Sequence, residues 1–422
     1  MIKCFLFENF KSFEKAEWNI EALTTLIGTN ASGKSNAIEG IRILSELVAG
    51  FELVTVLDGT KSMNGAVRGG SKGCPRFKTN TFKLGCLVAY SQEQDLLYEI
   101  KINVGNRIYI EEEALYKVPV DKLSPRSDKI FKTKPSKTEG ADIKVEYKNG
   151  KRGTNPDVLC IRTAAILPQI LTRMPHDTEE ERQTLFCIQT VRDSLKNILV
   201  LNSIPQNMRG YARISDCELR VDCENISSVM REMCRERDKK QELLDIIGEL
   251  PENEVLDIEF IETQVDDVIF ALKEKYINST EVVDARKLSD GTLRCMAVIV
   301  AALVSVPGSM LIMEEVDNGI HPTRVEKLMD SLLKIGKKRG IDIIVTTHNA
   351  MLMNQYKKEQ LVGVSIVYRE NEKGTSKIVS FVDIDTFPAL LATGGLGNAM
   401  TDNRLLSTIK EKKEKDYTWL GV

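Results

Sequence analysis

The sequence predicts an α/β fold whose two halves are separated by an insert. Apolar strand patterns alternate with helical patterns in residues 1–160 and again in residues 281–422. Residues 161–280 carry mainly charged, amphipathic patterns with helical spacing. We therefore expect a head domain built from the first and third segments, which must meet in space, and a mainly helical insert between them.

The first segment predicts a mixed sheet with a flanking helix and an antiparallel β lobe. Residues 2–10 and the short apolar run 24–27 have strand patterns, and residues 34–48 place apolar side chains at helical spacing. Residues 82–90 and 96–115 form two further strand patterns. With Gly105-Asn106 as a turn signal, we expect these runs to form antiparallel strands.

The third segment returns to short strands and helices in close order. Residues 293–304 and 323–335 predict helices, and residues 310–316 and 341–346 predict strands. The most apolar run, 295–307, is too short for a bilayer, which a helix crosses with about 20 residues. We expect that run to be a buried helix and the chain to have no membrane partner.

Composition narrows the classes of function. Hydrophobic residues make up 42% and charged residues 28% of the chain, as in an ordinary globular protein, and the net charge is -3. This balance argues against nucleic-acid binding over the whole surface. The basic stretch 119–153 leaves a local nucleic-acid-binding patch as an alternative. The nine cysteines include no C-x-x-C pair, and the N-terminus lacks a signal-peptide pattern. We therefore predict reduced thiols and a cytoplasmic location.

Residues 28–35, GTNASGKS, fit the pattern G-x-x-x-x-G-K-[ST] between a predicted strand and a predicted helix. Gly28 and Gly33 let the backbone curl around phosphates, toward which the loop amides and the helix N-terminus point. Lys34 is expected to reach the β- and γ-phosphates of a nucleotide, and the Ser35 hydroxyl to bind Mg²⁺. The pattern thus predicts a nucleotide-binding P-loop.

Two carboxylates follow the apolar run 310–313. Glu314 is expected near the metal ion, and Glu315 is expected to orient or deprotonate an attacking water. Because adjacent residues of a strand face opposite sides, we expect the two side chains to have separate tasks. The alternative is a strand end with two solvated glutamates.

Two other segments can meet a phosphate. Residues 288–292, LSDGT, place the Ser289 hydroxyl and the Gly291 amide at the start of an apolar helix pattern, where an anion can bind. An ordinary N-capping turn is the alternative there. His348 follows the strand pattern 341–346 and is one of three histidines in the chain. From that place it can reach a γ-phosphate, or it can be a capped structural residue.

In this order, the segments resemble those of the ABC-type ATPase heads of the SMC, RecF and OLD group. They are most similar to the single-chain AAA/ABC-like ATPases of bacterial anti-phage and abortive-infection systems, and residues 1–50 and 281–350 carry the resemblance. The matching motifs are an opening strand with the basic residue Lys11, a Walker A loop with Gly28, Asn30, Gly33, Lys34, Ser35 and Asn36, a signature loop with Ser289 and Gly291, a Walker B strand with Glu314 and Glu315, a D-loop with Asp317, and the switch histidine His348.

The resemblance implies an ATPase that binds ATP with Mg²⁺ between two copies of the chain. Ser289 and Gly291 of one copy are expected to face the nucleotide held by Lys34 of the other copy. Glu315 is the expected catalytic carboxylate. Lys34 and His348 are expected to hold the charge that develops on the phosphoryl group.

Two features depart from the family pattern. Glu314, with Ser35 a predicted Mg²⁺ ligand, stands where the family has an aspartate, which bears on metal binding and turnover. For the glutamine of the Q-loop, Gln92 and Gln94 lie at a suitable distance along the chain in a polar turn, and residues 68–70 compete for the position.

The resemblance supports three hypotheses of function. We favour the regulatory ATPase subunit of a bacterial anti-phage defence system, whose ATP-bound dimer or larger assembly controls a separate effector protein. A DNA repair or recombination ATPase of the RecF kind is the first alternative, and the basic stretch 119–153 supports it. A scaffold that binds ATP without hydrolysing it is the second alternative, and its clue is Glu314.

Overall fold

Strands and helices alternate along the described chain of the computed structural model. The residues that the structure describes are 1–59, 67–120, 128–135, 140–151, 153–250, 254–276, 279–349, 352, 354, 356–370 and 374–384. The strands with described bounds are β1 (Ile2–Phe10), β2 (Phe13–Asn19), β3 (Leu23–Ile27), β4 (Thr81–Ala89), β5 (Gln94–Asn103), β6 (Tyr109–Pro119), β7 (Lys129–Thr133), β8 (Asp142–Tyr147), β9 (Asp157–Ile161), β10 (Ile198–Leu201), β11 (Ala212–Arg213), β12 (Glu254–Glu262), β13 (Asp267–Lys275), β14 (Thr280–Asp284), β15 (Met310–Met313), β16 (Asp342–Thr347), β17 (Val364–Arg369) and β18 (Ser376–Ser380).

The helices confirm the α/β class predicted from the sequence. Those with described bounds are α1 (Lys34–Val48), α2 (Leu53–Asp58), α3 (Ile166–Arg173), α4 (Glu179–Lys196), α5 (Pro205–Met208), α6 (Ile226–Cys234), α7 (Arg237–Gly248), α8 (Asp290–Val304), α9 (Pro322–Arg339) and α10 (Lys358–Leu361).

The first of two compact units combines residues 1–21, 28–198 and 365–379. Its sheet has the strand order β17-β18-β2-β1-β4-β5-β6-β7-β8-β9. The strands from β4 to β9 pair in succession as antiparallel neighbours, which confirms the predicted antiparallel lobe.

Helix α1 of this unit lies against β1 at a glycine. A side chain at Gly40 would put its Cβ 2.6 Å from the Phe7 ring, so only glycine allows this approach. The rings of Phe7 and Phe13 stack with their centroids 5.3 Å apart, and Phe10 and Trp18 are also fully buried. This aromatic layer fixes α1 on the sheet, and with it the loop that precedes α1.

The second unit combines residues 22–27, 199–364 and 380–422, so far as these are described. One of its sheets has the order β10-β15-β16-β3, in which β15, β16 and β3 run parallel. Helix α8 is buried along most of its length and shares an apolar core with α9, as predicted for an apolar helix in this region. Among the described residues, no helix is long and apolar enough to span a membrane.

The predicted insert 161–280 is helical only in its first part. Helices α3 to α7 occupy residues up to Gly248, but β13 then pairs antiparallel with β11, β12 and β14. The prediction of a mainly helical insert is therefore wrong for residues 254–280. A short apolar run between charged residues fits a helix or a strand, and β13 buries the five successive residues from Val268 to Leu272, as a strand covered on both faces does. The division of the chain at residues 160 and 280 stays a prediction.

Candidate nucleotide site

The loop of residues 28–35 connects β3 to α1, as predicted, and its backbone is crowded. A side chain at Gly28 would place its Cβ 2.4 Å from the carbonyl oxygen of Val367. Gly33 has a φ of 121°, and a Cβ there would lie 2.7 Å from the hydroxyl oxygen of Ser376. Backbone geometry therefore requires both glycines of the motif, and the loop forms a cradle lined by main chain.

Lys34 and Ser32 supply polar side chains in this loop. The Lys34 ammonium donates to the carbonyl oxygens of Gly28, at 2.6 Å, and Thr29, at 3.2 Å, and so holds its charge over the loop. The Ser32 hydroxyl oxygen is buried without a hydrogen-bond partner among the described residues. A buried polar group without a partner costs free energy that a ligand can remove. The cradle, the cation and the unpartnered hydroxyl together fit the triphosphate of a nucleotide.

Two serines outside the motif hold the loop in place. The Ser376 hydroxyl donates to the carbonyl oxygen of Ser32 at 2.5 Å, and the Ser376 amide donates to the carbonyl oxygen of Ser12 at 2.8 Å. Asn36, a predicted nucleotide-binding residue, donates its side-chain amide to the Ser12 hydroxyl at 2.8 Å. Neither serine is among the predicted site residues. Ser12 stands beside Lys11 and could have been found, but no motif marks Ser376, 344 residues from Ser32.

Lys11 lies between β1 and β2, and its ammonium group is engaged within the protein. It forms an ion pair with Glu39 of α1 and donates to the carbonyl oxygen of Arg68 at 3.0 Å. Glu39 also accepts the Arg68 amide at 2.7 Å. Burial raises the pKa of the neighbouring Cys74 thiol to about 12 and keeps it protonated, although the Lys11 charge opposes the shift. The predicted contact of Lys11 with a nucleotide stays a prediction, and no sequence motif marks its partner Glu39.

The signature loop begins α8 in the second unit. The Ser289 hydroxyl accepts the Thr292 amide at 3.1 Å, so Ser289 is an N-cap, which was the alternative considered for it. A side chain at Gly291 would bring its Cβ to 2.8 Å from the Gly319 carbonyl oxygen. The main chains of the signature loop and the D-loop therefore lie close together, with no side chain between them at Gly291. Phosphate binding by Ser289 and Gly291 stays a prediction.

Two arginines that sequence analysis missed hold the signature loop. Arg209 donates to the Leu288 carbonyl oxygen at 2.9 Å and to the Asp290 carboxylate at 2.7 Å. Arg324 is 8% exposed at the start of α9, and its guanidinium donates to the Thr292 hydroxyl at 3.1 Å. Neither arginine belongs to a motif, and only the fold brings them to the loop.

Glu314 and Glu315 lie beyond the strand that was expected to contain them. β15 ends at Met313, and Glu315 has a φ of 50°, in the left-handed region. The expectation of strand alternation does not apply to them, because the strand has already ended, and both residues line a cavity of about 30 Å³ together with Arg294 of α8. The Glu315 amide donates to the Thr346 hydroxyl at 2.9 Å, which holds this strained backbone against β16.

Asp317 and His348 follow the same two strands. One carboxylate oxygen of Asp317 is buried and has no hydrogen-bond partner within the described part of the chain. His348 is exposed just beyond β16, where the Asn349 amide donates to the Thr347 hydroxyl at 3.0 Å. Both side chains are thus placed to take a further partner.

The predicted site residues fall into two groups, one in each compact unit. The first unit holds the P-loop residues and Lys11, and the second unit holds the signature, Walker B, D-loop and switch residues. The first group is Lys11, Gly28, Asn30, Gly33, Lys34, Ser35 and Asn36, and the second is Ser289, Gly291, Glu314, Glu315, Asp317 and His348.

Known proteins share both the fold and part of the sequence. Residues 236–354 match a protein family described as "AAA domain, putative AbiEii toxin, Type IV TA system". Among solved structures, an SMC head bound to the C-winged helix domain of ScpA is similar, with 15% sequence identity and a TM-score of 0.50. The similarity covers 90% of this chain and 97% of the SMC head chain. The SMC head domain from Thermotoga maritima is similar over 90% and 98%, with 13% identity and a TM-score of 0.43. The comparison with curated proteins found no match.

The likeness to the ScpA-bound SMC head confirms the predicted ABC-type ATPase head fold. In sequence, residues 236–354 are similar to the matched AAA domain family, and the chain carries a P-loop motif within that fold.

Proposed function

We propose that this chain binds ATP with Mg²⁺, hydrolyses the ATP, and forms a dimer with nucleotide between its two copies. It acts in this proposal as the regulatory subunit of a bacterial anti-phage defence system and controls a separate effector protein. The observation that carries the proposal is the P-loop, where Lys34 and the unpartnered Ser32 hydroxyl lie in a cradle that excludes side chains at Gly28 and Gly33.

Each P-loop and strand-end residue has a task that suits its chemistry. Lys34 binds the β- and γ-phosphates in place of the two carbonyl oxygens that it now contacts. Glu315 orients the attacking water and accepts its proton, and His348 donates to the γ-phosphate as charge develops there. Hydrolysis is thus assigned to positioning and charge stabilisation.

The proposed Mg²⁺ ligands are Ser35 and Glu314. Both offer oxygen atoms, which are the ligands that Mg²⁺ prefers. When bound, the ion neutralises charge on the phosphate oxygens. Glu314 has one methylene more than the aspartate of the related ATPases, so we expect slow turnover that the Glu314→Asp variant changes.

The signature loop supports the proposed dimer. Ser289 and Gly291 lie at the N-terminus of α8, where the helix dipole favours negative charge, and they would meet the γ-phosphate bound by the second copy. Arg209 and Arg324 fix this loop before any ligand arrives, so binding has less conformational entropy to overcome.

The family match supports the biological part of the proposal. The description of the family matched by residues 236–354 names a toxin and a type IV toxin–antitoxin system. We infer a system of that general kind, in which ATP-dependent control and toxic chemistry reside on separate chains. Phage challenge of bacteria that carry this gene alone, or with its genomic neighbours, tests this assignment. Protection should need a neighbour and should be lost in Lys34→Ala, and toxicity of this chain alone would contradict it.

The first experiment is mass by light scattering with and without ATP-Mg²⁺ on the Glu315→Gln variant, beside phosphate release by the wild type. We expect ATP to double the mass of the variant and the wild type to turn over repeatedly. Ser289→Arg should prevent the rise in mass without loss of ATP binding, whereas Lys34→Ala should lose both. An unchanged mass in Glu315→Gln would contradict the nucleotide-bound dimer.

The structure of the basic stretch weakens the case for a RecF-like DNA-binding ATPase. Lys129, Lys132 and Lys134 each form an ion pair with a carboxylate, at 2.5 to 2.8 Å. Residues 121–127 and 136–139 of the stretch lie outside the described residues. Lysines already paired are less available to phosphates. Salt-dependent DNA binding that disappears when these three lysines become glutamate would favour the alternative.

Multiple-turnover phosphate release also decides between the ATPase and the non-hydrolysing scaffold. The clue for the scaffold is Glu314, since a misplaced metal ion would leave ATP bound and intact. One equivalent of phosphate or less per chain would favour the scaffold.

A further inference from the structure

Strand β9 is the last strand in the sheet of the first unit, and among the described strands it pairs only with β8. Its side chains alternate, so Leu159 and Ile161 lie on one face, 53% and 39% exposed, whereas Cys160 between them is buried. Opposite them on β8 stand the exposed residues Lys144 and Asp142. The free edge of this sheet therefore carries two apolar side chains on a face that is otherwise charged.

The side chains of β9 do not protect this edge. Natural sheets keep other strands away with a lysine, a proline or a bulge in the edge strand, or with a helix or loop that covers it. Residues 158–161, VLCI, include no charged residue and no proline, and β9 pairs with β8 without a bulge. Valine and isoleucine also favour strand formation. Such an edge can pair with a strand of another chain unless its backbone groups are occupied.

Two side chains of helix α3 occupy those backbone groups. The Gln169 side-chain oxygen accepts the Ile161 amide at 2.9 Å, and the Gln169 side-chain nitrogen donates to the Ile161 carbonyl oxygen at 2.9 Å. The Arg173 guanidinium donates to the Leu159 carbonyl oxygen. Two antiparallel strands exchange bonds in the same way, since each paired residue both donates and accepts. Gln169 thus takes the place that a residue of a neighbouring strand would have.

We propose that the β9 edge is a pairing surface for a second copy of this chain, and that Gln169 and Arg173 keep it closed. The backbone groups that α3 occupies belong to Leu159 and Ile161, so these are the groups that would pair. A two-fold axis at Cys160 would place Leu159 of each copy opposite Ile161 of the other. That register joins apolar side chains across the new contact.

The closed edge would limit assembly to one kind of contact. A chain with two self-complementary surfaces joins further copies through each surface in turn, and the product is an open polymer. With the β9 edge closed, the ATP-bound dimer of the proposed function would remain a dimer. The pairing surface itself goes beyond the proposed function, because it requires neither the nucleotide nor the P-loop.

The experiment is mass by light scattering, without nucleotide and over a series of protein concentrations, on the double variant Gln169→Ala/Arg173→Ala. We expect this variant to reach at least about twice the wild-type mass as its concentration rises. Leu159→Lys, added to the double variant, places a charge on the edge and should restore the wild-type mass. The matched control is Thr172→Ala/Arg182→Ala.

This control changes a threonine of α3 and an arginine of α4. The Thr172 hydroxyl donates to the Gln169 carbonyl oxygen within the helix, and Arg182 pairs with Glu179 on the surface. Both bonds stay within one helix, so we expect the control to keep the wild-type mass.

A second measurement separates edge pairing from a loosened helix. Gln169 also donates to the carbonyl oxygens of Ala164 and Ala165, at 3.2 Å and 3.0 Å, so its removal can disturb the start of α3. Hydrogen exchange should show the amides of residues 159 and 161 protected in the associated variant and exposed again with Leu159→Lys. If the double variant does not fold, Arg173→Ala carries the same measurements, because it loses a single bond from an exposed side chain.

Two results would overturn the proposal. Wild-type mass in every folded variant that lacks Gln169 or Arg173 would mean that the edge does not pair. Association that persists with Leu159→Lys, without protection of residues 159 and 161, would mean that another surface is responsible. The proposed function fails or stands separately, since the ATP-dependent rise in mass of Glu315→Gln is measured with the edge closed.

Discussion

The ammonium group of Lys11 and the carboxylate of Glu39 form a buried ion pair beside the phosphate-binding loop. Only 8% of the Lys11 side chain and 9% of the Glu39 side chain are exposed. Both groups also bond to the backbone of Arg68, so the pair ties three separate parts of the first unit together. The ammonium group that the family resemblance predicts to contact the nucleotide is therefore already paired within the protein.

Removal of Lys11 should therefore lower the free energy of unfolding, in addition to any effect on nucleotide binding. A buried ion pair that loses one partner leaves an uncompensated charge, which costs about 3–5 kcal/mol. We expect Lys11→Met to lower the free energy of unfolding by that amount in urea titration, and Lys11→Met with Glu39→Leu to recover most of it. Weaker ATP binding by Lys11→Met at wild-type stability would instead support a direct nucleotide contact.

Glu113 makes the stability of the first unit depend on pH. This fully buried carboxylate accepts the amides of Ile166 and Leu167, each at 2.7 Å, and the Tyr98 hydroxyl at 2.9 Å. Burial raises its pKa from 4.5 to about 7, although these three donated bonds oppose the shift. The folded protein therefore keeps a proton that the unfolded chain releases at lower pH.

The sign of the pH effect follows from that difference. The stabilising contribution of Glu113 is fully present below pH about 4.5 and is lost as the pH rises to about 7. Chemical unfolding at a series of pH values between 5 and 8 should show this decline, and Glu113→Gln should flatten it. The same slope in Glu113→Gln would assign the pH dependence to other groups.

Gly291→Ala should disturb the signature loop. The added Cβ would lie 2.8 Å from the Gly319 carbonyl oxygen, and a backbone atom cannot move away as cheaply as a side chain. We expect the ATP-dependent rise in mass of Glu315→Gln to shrink when Gly291→Ala is added. Gly248→Ala is the control, since no atom lies within 4 Å of its would-be Cβ. It should leave the rise in mass unchanged, and equal behaviour of the two variants would refute the close approach.

Arg209→Ala should weaken ATP-dependent association more than it weakens folding. The bond to the exposed Asp290 carboxylate contributes little to stability, about 1 kcal/mol or less, because water screens it. Loss of both bonds from Arg209 frees the signature loop, so a higher ATP concentration should be needed for the rise in mass. Arg220→Ala removes two surface pairs in the same unit, with Asp216 and Glu224, and serves as the matched control. The two variants should differ in association and agree in thermal midpoint.

Local patterns were sufficient to predict the elements that carry the motifs. Helix α1 spans the predicted residues 34–48, because its apolar spacing and the glycine before it are both local signals. The strands at 254–280 were missed because their charged, apolar runs fit either period over nine residues. The partners Glu39, Arg209 and Ser376 could not be found, since their roles depend on contacts that only the folded chain creates.

The bond from Ser376 to Ser32 also sets the order in which the phosphate cradle can be completed during synthesis. The two residues are 344 positions apart. At about 5–20 residues per second, a ribosome therefore adds Ser376 roughly 20–70 s after Ser32. Nascent chains that already contain the whole P-loop motif still lack the hydroxyl that braces it. The braced form of the loop therefore cannot exist until synthesis has passed Ser376.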